Sequence, residues 1–242
     1  MRDKARGRAD PHLPTEYQEK LDSSANMMSS GLAAVATYLR GGGRRNIREA
    51  YEIGSLIGLN TRIVDDFLDG DGVPEAEDRE ELLNTYIQSI QDEEVPQQVQ
   101  GPERALYEIG AATGEELEKE FYLPYVKDAR DILLEEDKES VEGYKAYSRG
   151  VSGMIGEMVG TSLGTLEDFE PETDDLQFSY DLAYLGQVAD DVMDDDLDLD
   201  ELERFYKESV ERIKRHGLTG KLSGDLASIY PRIYRGMKSL QK

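Results

Sequence analysis

Two acidic triplets in this chain share one spacing. Arg62-Ile-Val-Asp65-Asp66-Phe-Leu-Asp69-Gly70 and Gln187-Val-Ala-Asp190-Asp191-Val-Met-Asp194 both carry Asp-Asp-x-x-Asp, and both close a segment with the apolar pattern of a helix. Each helical residue turns by about 100°, so Asp65 and Asp69 share a face, as do Asp190 and Asp194. Two such pairs facing each other would repel strongly unless solvated, protonated or bridged by cations. Mg²⁺ suits that bridge, because it prefers oxygen ligands and is commonly held by one or two carboxylates together with substrate phosphates. Mn²⁺ accepts the same ligands. The plainer reading is a solvated acidic surface, since 52 of the 242 residues are Asp or Glu and the spacing recurs by chance in such a chain.

The composition narrows the chemistry. There is no cysteine and there are only two histidines, His12 and His216, which leaves thiolate, zinc and serine-histidine mechanisms poorly supplied. The net charge of -24 argues against nucleic-acid binding, because a phosphate backbone would be repelled. The same charge strains a compact state unless salt screens it, and the screening length falls to about 3 Å at 1 M, so a salt-rich, halophilic cytoplasm is expected. No apolar run approaches the roughly 18 residues of a membrane span, and the first residues lack the apolar region of a secretory signal. The expected localisation is cytoplasmic.

The elements that must position the acids all read as helices. Residues 1–14 are basic and contain proline, and are expected to be a mobile N-terminal arm, with one helical domain over 15–242. A helix is predicted from Thr15 to Arg40, stopped by Gly41-Gly-Gly43. The next opens at Arg44-Arg45 and carries Ile53, Leu56, Ile57, Val64, Phe67 and Leu68 as one apolar stripe. Behind Asp65 on this helix lie Thr61, Gly58 and Gly54. Glycine in a helix costs roughly 0.8–1 kcal/mol against alanine, so this face serves either close helix packing or a groove for a long apolar ligand. Further helices are expected at about 80–91, 103–136, 144–164, 175–195 and 224–240, with a charged segment over 198–216. There is no useful β-alternation, so the fold class is all-α, a single-domain helical bundle.

These motifs resemble those of class I isoprenoid synthases, closest to the squalene/phytoene synthase family. Ser30 followed by Arg44-Arg45 is similar to the start of the phytoene synthase signature. Arg62-Ile-Val-Asp65-Asp66-Phe-Leu-Asp69-Gly70 resembles R-x-x-D-[DE]-x-x-D-G. Tyr147-Ser-Arg149-Gly-Val151-Ser-Gly153-Met-Ile-Gly156-Glu-Met158 resembles Y-C-x-x-V-A-G-x-V-G-x-M, the most specific of the matches because it does not depend on acids. Gln187, Asp190, Asp194 and Asp198 fall on Q-x-x-N-x-x-x-D-x-x-x-D. The resemblance covers about residues 30 to 200. Asp190 stands where Asn is common, and the G-R-x-Y-L-P run is missing. The second motif also fits the Q-x-x-D-D-x-x-D of head-to-tail polyprenyl diphosphate synthases, although the Arg-Arg-Gly and Lys-Thr elements of those enzymes are absent.

The resemblance implies an isoprenoid synthase bundle around a central cavity and head-to-head condensation of two prenyl diphosphates. Chain elongation, terpene cyclisation and a non-catalytic binding role remain alternatives. It implies Mg²⁺ held by Asp65, Asp69, Asp190 and Asp194, with Asp66, Asp191 and Asp198 as supporting ligands, and whether NADPH is used stays open. Arg62, Arg45, Arg48 and Arg149 would hold phosphate oxygens, Gln187 would belong to the substrate site, and Gly54 and Gly58 would border the prenyl chain. Tyr147 would face cationic carbon. Arg62 has a plainer role available, pairing with Asp66. Prenyl diphosphates are the implied partners; peripheral membrane contact and oligomeric state are left open.

Overall fold

The computed structural model describes residues 1–23, 29–31, 33–34, 37, 43–75, 77–135, 150, 155–159, 161–162, 177, 179–181, 183–184, 204, 207–208, 211–212 and 215. Among these the regular structure is helical and no strand occurs, so the chain is all-α. The helices are α1 (Arg2–Ala9), α2 (Thr15–Ser23), α3 (Arg44–Asp69), α4 (Arg79–Asp92), α5 (Pro102–Glu116) and α6 (Lys119–Glu135), with one 3-10 turn at Asp10–His12. Among the described residues no helix is long and apolar enough to cross a membrane.

The centre is α3. Its expected apolar stripe is buried apart from Val64, which is half-buried, with Ile53, Leu56, Ile57 and Phe67 all at 1% exposure or less. Fully burying such a side chain is worth roughly 1.5–3 kcal/mol, and this stripe holds α3 against α1 and α5. Beyond Asp69, Gly70 adopts a left-handed conformation, and the Asp71 N–H donates to the Asp66 carbonyl at 3.0 Å. That closure ends the helix immediately after the acidic triplet.

The connection from Gly70 returns the chain alongside. Arg79 donates to the Leu68 carbonyl at 2.7 Å, and Asp78 caps α4 by accepting from the Glu81 N–H at 2.9 Å. The Asp78-x-x-Glu81 spacing has the form of a capping box. Helix α6 runs antiparallel to α4, with Lys119 donating to the Gln91 carbonyl and Arg130 to Asn84. The single helix expected over 103–136 is two helices, because Leu117 turns its backbone to an extended conformation and buries its side chain.

The expected mobile arm is a docked helix. Ala5 and Ala9, one turn apart, are fully buried, and their small side chains let α1 lie close to the core. Arg8 grips both oxygens of Glu115 on α5 at 2.7 Å each, and Lys4 pairs with Glu115 and Glu116. Arg8 and then Lys4 hold the Glu115 carboxyl down to about 2. The basic composition that suggested a loose arm is what docks it to an acid-rich helix.

Candidate functional site

The three acids at the end of α3 occupy three different environments. Asp66 is 1% exposed and faces the core, while Asp65 is half-buried and Asp69 exposed. Both Asp66 oxygens are engaged: the Tyr17 hydroxyl donates to Oδ2 at 2.6 Å, and Arg62 reaches Oδ2 through Nε at 3.1 Å and Oδ1 through Nη2 at 2.7 Å. Arg62 Nη2 also reaches Asp71 Oδ2 at 3.1 Å, so this side chain ties the helix end to the loop that follows. Burial pulls the Arg62 guanidinium down, but Asp66 and Asp65 outweigh it and raise its pKa. Acids at a helix C-terminus oppose the macrodipole, so the outer pair, Asp65 and Asp69, sits in a field that favours a cation.

Asp65 borders an apolar pocket of about 80 Å³. Its walls come from four segments: α3 through Asn60, Val64 and Leu68, α4 through Leu83 and Tyr86, α6 through Tyr122 and Arg130, and residues 155–159 through Ile155 and Met158. Asn60, Tyr86 and Tyr122 are nearly inaccessible, whereas Asp65, Arg130 and Leu133 are half-buried, so the acid and the guanidinium stand toward the open end. The buried polar atoms are satisfied among themselves. Tyr86 donates to Asn60 Oδ1, and Asn60 Nδ2 donates to Thr113 Oγ1 at 2.8 Å. Burial raises the pKa of both phenols, so both are neutral at ordinary pH.

The remaining expected residues divide by position. A helix rises about 1.5 Å per residue, which sets Arg45 and Arg48 roughly 25–30 Å along α3 from Asp65. There they pair with Glu49 and Glu52 on exposed surface, and the structure does not bring them to the acidic end. Gly54 meets backbone instead of a groove, since a Cβ there would collide with the Ser29 carbonyl. Ser55 Oγ donates to Ser30 Oγ at 3.0 Å in the same contact. Gly58 is buried and is not part of the pocket wall; Thr61 is the residue of that face that lines it. Tyr147, Arg149, Gln187, Asp190, Asp191, Asp194 and Asp198 lie outside the described residues.

Asn60, Tyr86, Tyr122 and Arg130 were not singled out from the sequence. Asn60 is the one with a visible signal, a lone amide inside the apolar stretch of α3. The two tyrosines read as ordinary core positions.

Among the described residues no group of three or more His, Asp or Glu side chains could hold a metal ion. Asp65 and Asp69 fit the smaller requirement of Mg²⁺, one or two carboxylates completed by water and phosphate oxygens. Asp66 does not fit, because both its oxygens already accept from Tyr17 and Arg62. The chain matches no family model, and no curated protein or solved structure is similar to it.

Proposed function

We propose that this chain is a Mg²⁺-dependent prenyltransferase with an isoprenoid synthase type of bundle, joining two prenyl diphosphates head to head. One observation supports the reading: Asp65 of the first acidic motif and Ile155 and Met158 of the glycine-bearing motif border the same apolar pocket. These positions lie about 90 residues apart in the chain and belong to the two motifs on which the resemblance chiefly rests.

The chemistry follows from what lines the pocket. Asp65 and Asp69 would hold the metal, which when bound neutralises the departing diphosphate. The aliphatic walls would seat the first carbons of the prenyl chain and exclude water from the carbocation left behind. Tyr86 and Tyr122 line the same pocket, and an aromatic ring beside that cation would attract it by about 2 kcal/mol or more when desolvated. Burial keeps both phenols neutral, and the Tyr86 hydroxyl is engaged with Asn60, so neither offers the cation a phenolate.

The test is incubation with Mg²⁺ and farnesyl or geranylgeranyl diphosphate alone, with and without NADPH, and then with isopentenyl diphosphate. A dimeric hydrocarbon, or its cyclopropyl diphosphate precursor, formed without isopentenyl diphosphate is the expected result. Asp190-Asp191-x-x-Asp194 favours chain elongation as a second reading. Products that appear only with isopentenyl diphosphate and grow in five-carbon steps would establish that second reading.

A further inference from the structure

We infer that Arg130 is an anion-holding residue of the pocket that Asp65 also lines, taking phosphate oxygens at its open end. The inference rests on the prenyl diphosphate reading above and adds a residue that neither the acidic motifs nor the resemblance points to. Arg130 belongs to α6, and it lines the pocket together with Asp65 and Leu68 from the end of α3. Its guanidinium is held from two sides. Nη1 donates to Asn84 Oδ1 on α4 at 2.9 Å, while Nε and Nη2 donate to Asp131 Oδ1 at 2.8 and 2.5 Å.

Those bonds use three of the five guanidinium N–H donors, leaving one on each terminal nitrogen. A donor on each terminal nitrogen of a guanidinium can serve the oxygens of a phosphate. The side chain is 29% exposed, so the group is reachable from solvent while its stem packs along the pocket wall. Stem packing alone would leave the head wandering in water. The bond to Asn84, 46 residues away, instead fixes the head in place, and a guanidinium that is already oriented loses less entropy on binding an anion.

The arrangement also selects its ligand. An apolar pocket lined by both a carboxylate and a held guanidinium suits an amphiphile whose head is an anion carrying a divalent cation. The metal goes to Asp65 and the phosphate oxygens go to Arg130. A bare anion would meet repulsion from Asp65 and from Asp131, the carboxylate paired with Arg130.

Calorimetry with inorganic pyrophosphate, with and without Mg²⁺, tests this on the full chain. The wild type is expected to bind in the presence of Mg²⁺. Arg130→Gln should bind at least about tenfold more weakly, and Arg130→Lys, which keeps the charge and loses the planar guanidinium, should fall between them. Asn84→Ala leaves the guanidinium in place without its anchor and should weaken binding in the same direction, which covers the case of a poorly folded Arg130→Gln. Circular dichroism melts establish which variants are folded. Wild-type affinity in folded Arg130→Gln or, failing that variant, in Asn84→Ala would overturn the role of Arg130 and leave the proposed function standing. A wild type that binds no pyrophosphate with Mg²⁺ would overturn both.

Discussion

The Tyr17 hydroxyl donates to Asp66 Oδ2 at 2.6 Å, joining two residues 49 apart in the chain and both nearly inaccessible to solvent. With Arg62 on the other oxygen, Asp66 is a buried, fully engaged carboxylate that anchors α2 to the end of α3. The neighbouring Asp65 faces the pocket instead. Two adjacent acids of one motif thus have separable roles, and substitution should separate them.

Asp66→Ala leaves the buried Tyr17 hydroxyl without its acceptor and the half-buried Arg62 without its inner partner and should cost about 1–3 kcal/mol, whereas Asp65→Ala should cost less than about 1 kcal/mol. Asp65→Ala should nevertheless abolish Mg²⁺-dependent turnover in a folded protein. Tyr17→Phe removes one of the two donors to Asp66 Oδ2, leaving Arg62 Nε, and should cost about 1–3 kcal/mol. Urea denaturation of the three variants measures the costs. Equal destabilisation by Asp65→Ala and Asp66→Ala would contradict the division.

The all-α class, α3 and its acidic end are legible in the sequence because periodicity and breakers report local structure directly. Gly41-Gly-Gly43 and Gly70 bracket a long apolar stripe, and Arg62 stands one turn before Asp66. What is not legible is tertiary. Helix α1 has few large apolar residues, and its docking depends on Glu115 and Glu116, more than a hundred residues away. Nor does a helical wheel show what lies opposite a glycine. The face of Gly54 reads equally as groove or as contact until Ser29 is seen against it. Arg130 enters the pocket only because α6 returns antiparallel to α4, a fact no local pattern records.

Alkaline pH should loosen the fold through its buried phenols. Burial, and then the hydrogen bond to Asp66, raises the pKa of Tyr17; burial also raises those of Tyr86 and Tyr122, and that of Tyr107 to about 12. A tyrosine whose folded pKa lies above its unfolded value of about 10 contributes stability in full below that pH. Above it the unfolded chain releases the proton first, so stability falls, by up to about 1.4 kcal/mol per pH unit for each such group. Urea midpoints at about pH 8 and about pH 11 should therefore decline, and Tyr122→Phe should flatten the decline by removing one of the groups. A midpoint unchanged across that interval would refute the account.

Asn60 offers the sharpest link between the packing and the chemistry. Its carbonyl oxygen accepts from Tyr86, and its amide donates to the Leu56 carbonyl and to Thr113, so one side chain satisfies the polar atoms buried beside the pocket. Asn60→Ala deletes that acceptor and leaves the Tyr86 hydroxyl in need of a partner, which a water molecule can supply in the space vacated. The expected stability loss is about 1–3 kcal/mol, from the unsatisfied buried groups. The expected catalytic effect is different in kind: water lodged beside the carbocation captures it, so alcohols should rise at the expense of hydrocarbon. Gas chromatography of products from the variant and the wild type measures the ratio, with circular dichroism confirming the fold. An unchanged product ratio in a folded, active Asn60→Ala would show that the polar cluster serves packing alone and does not shield the reaction.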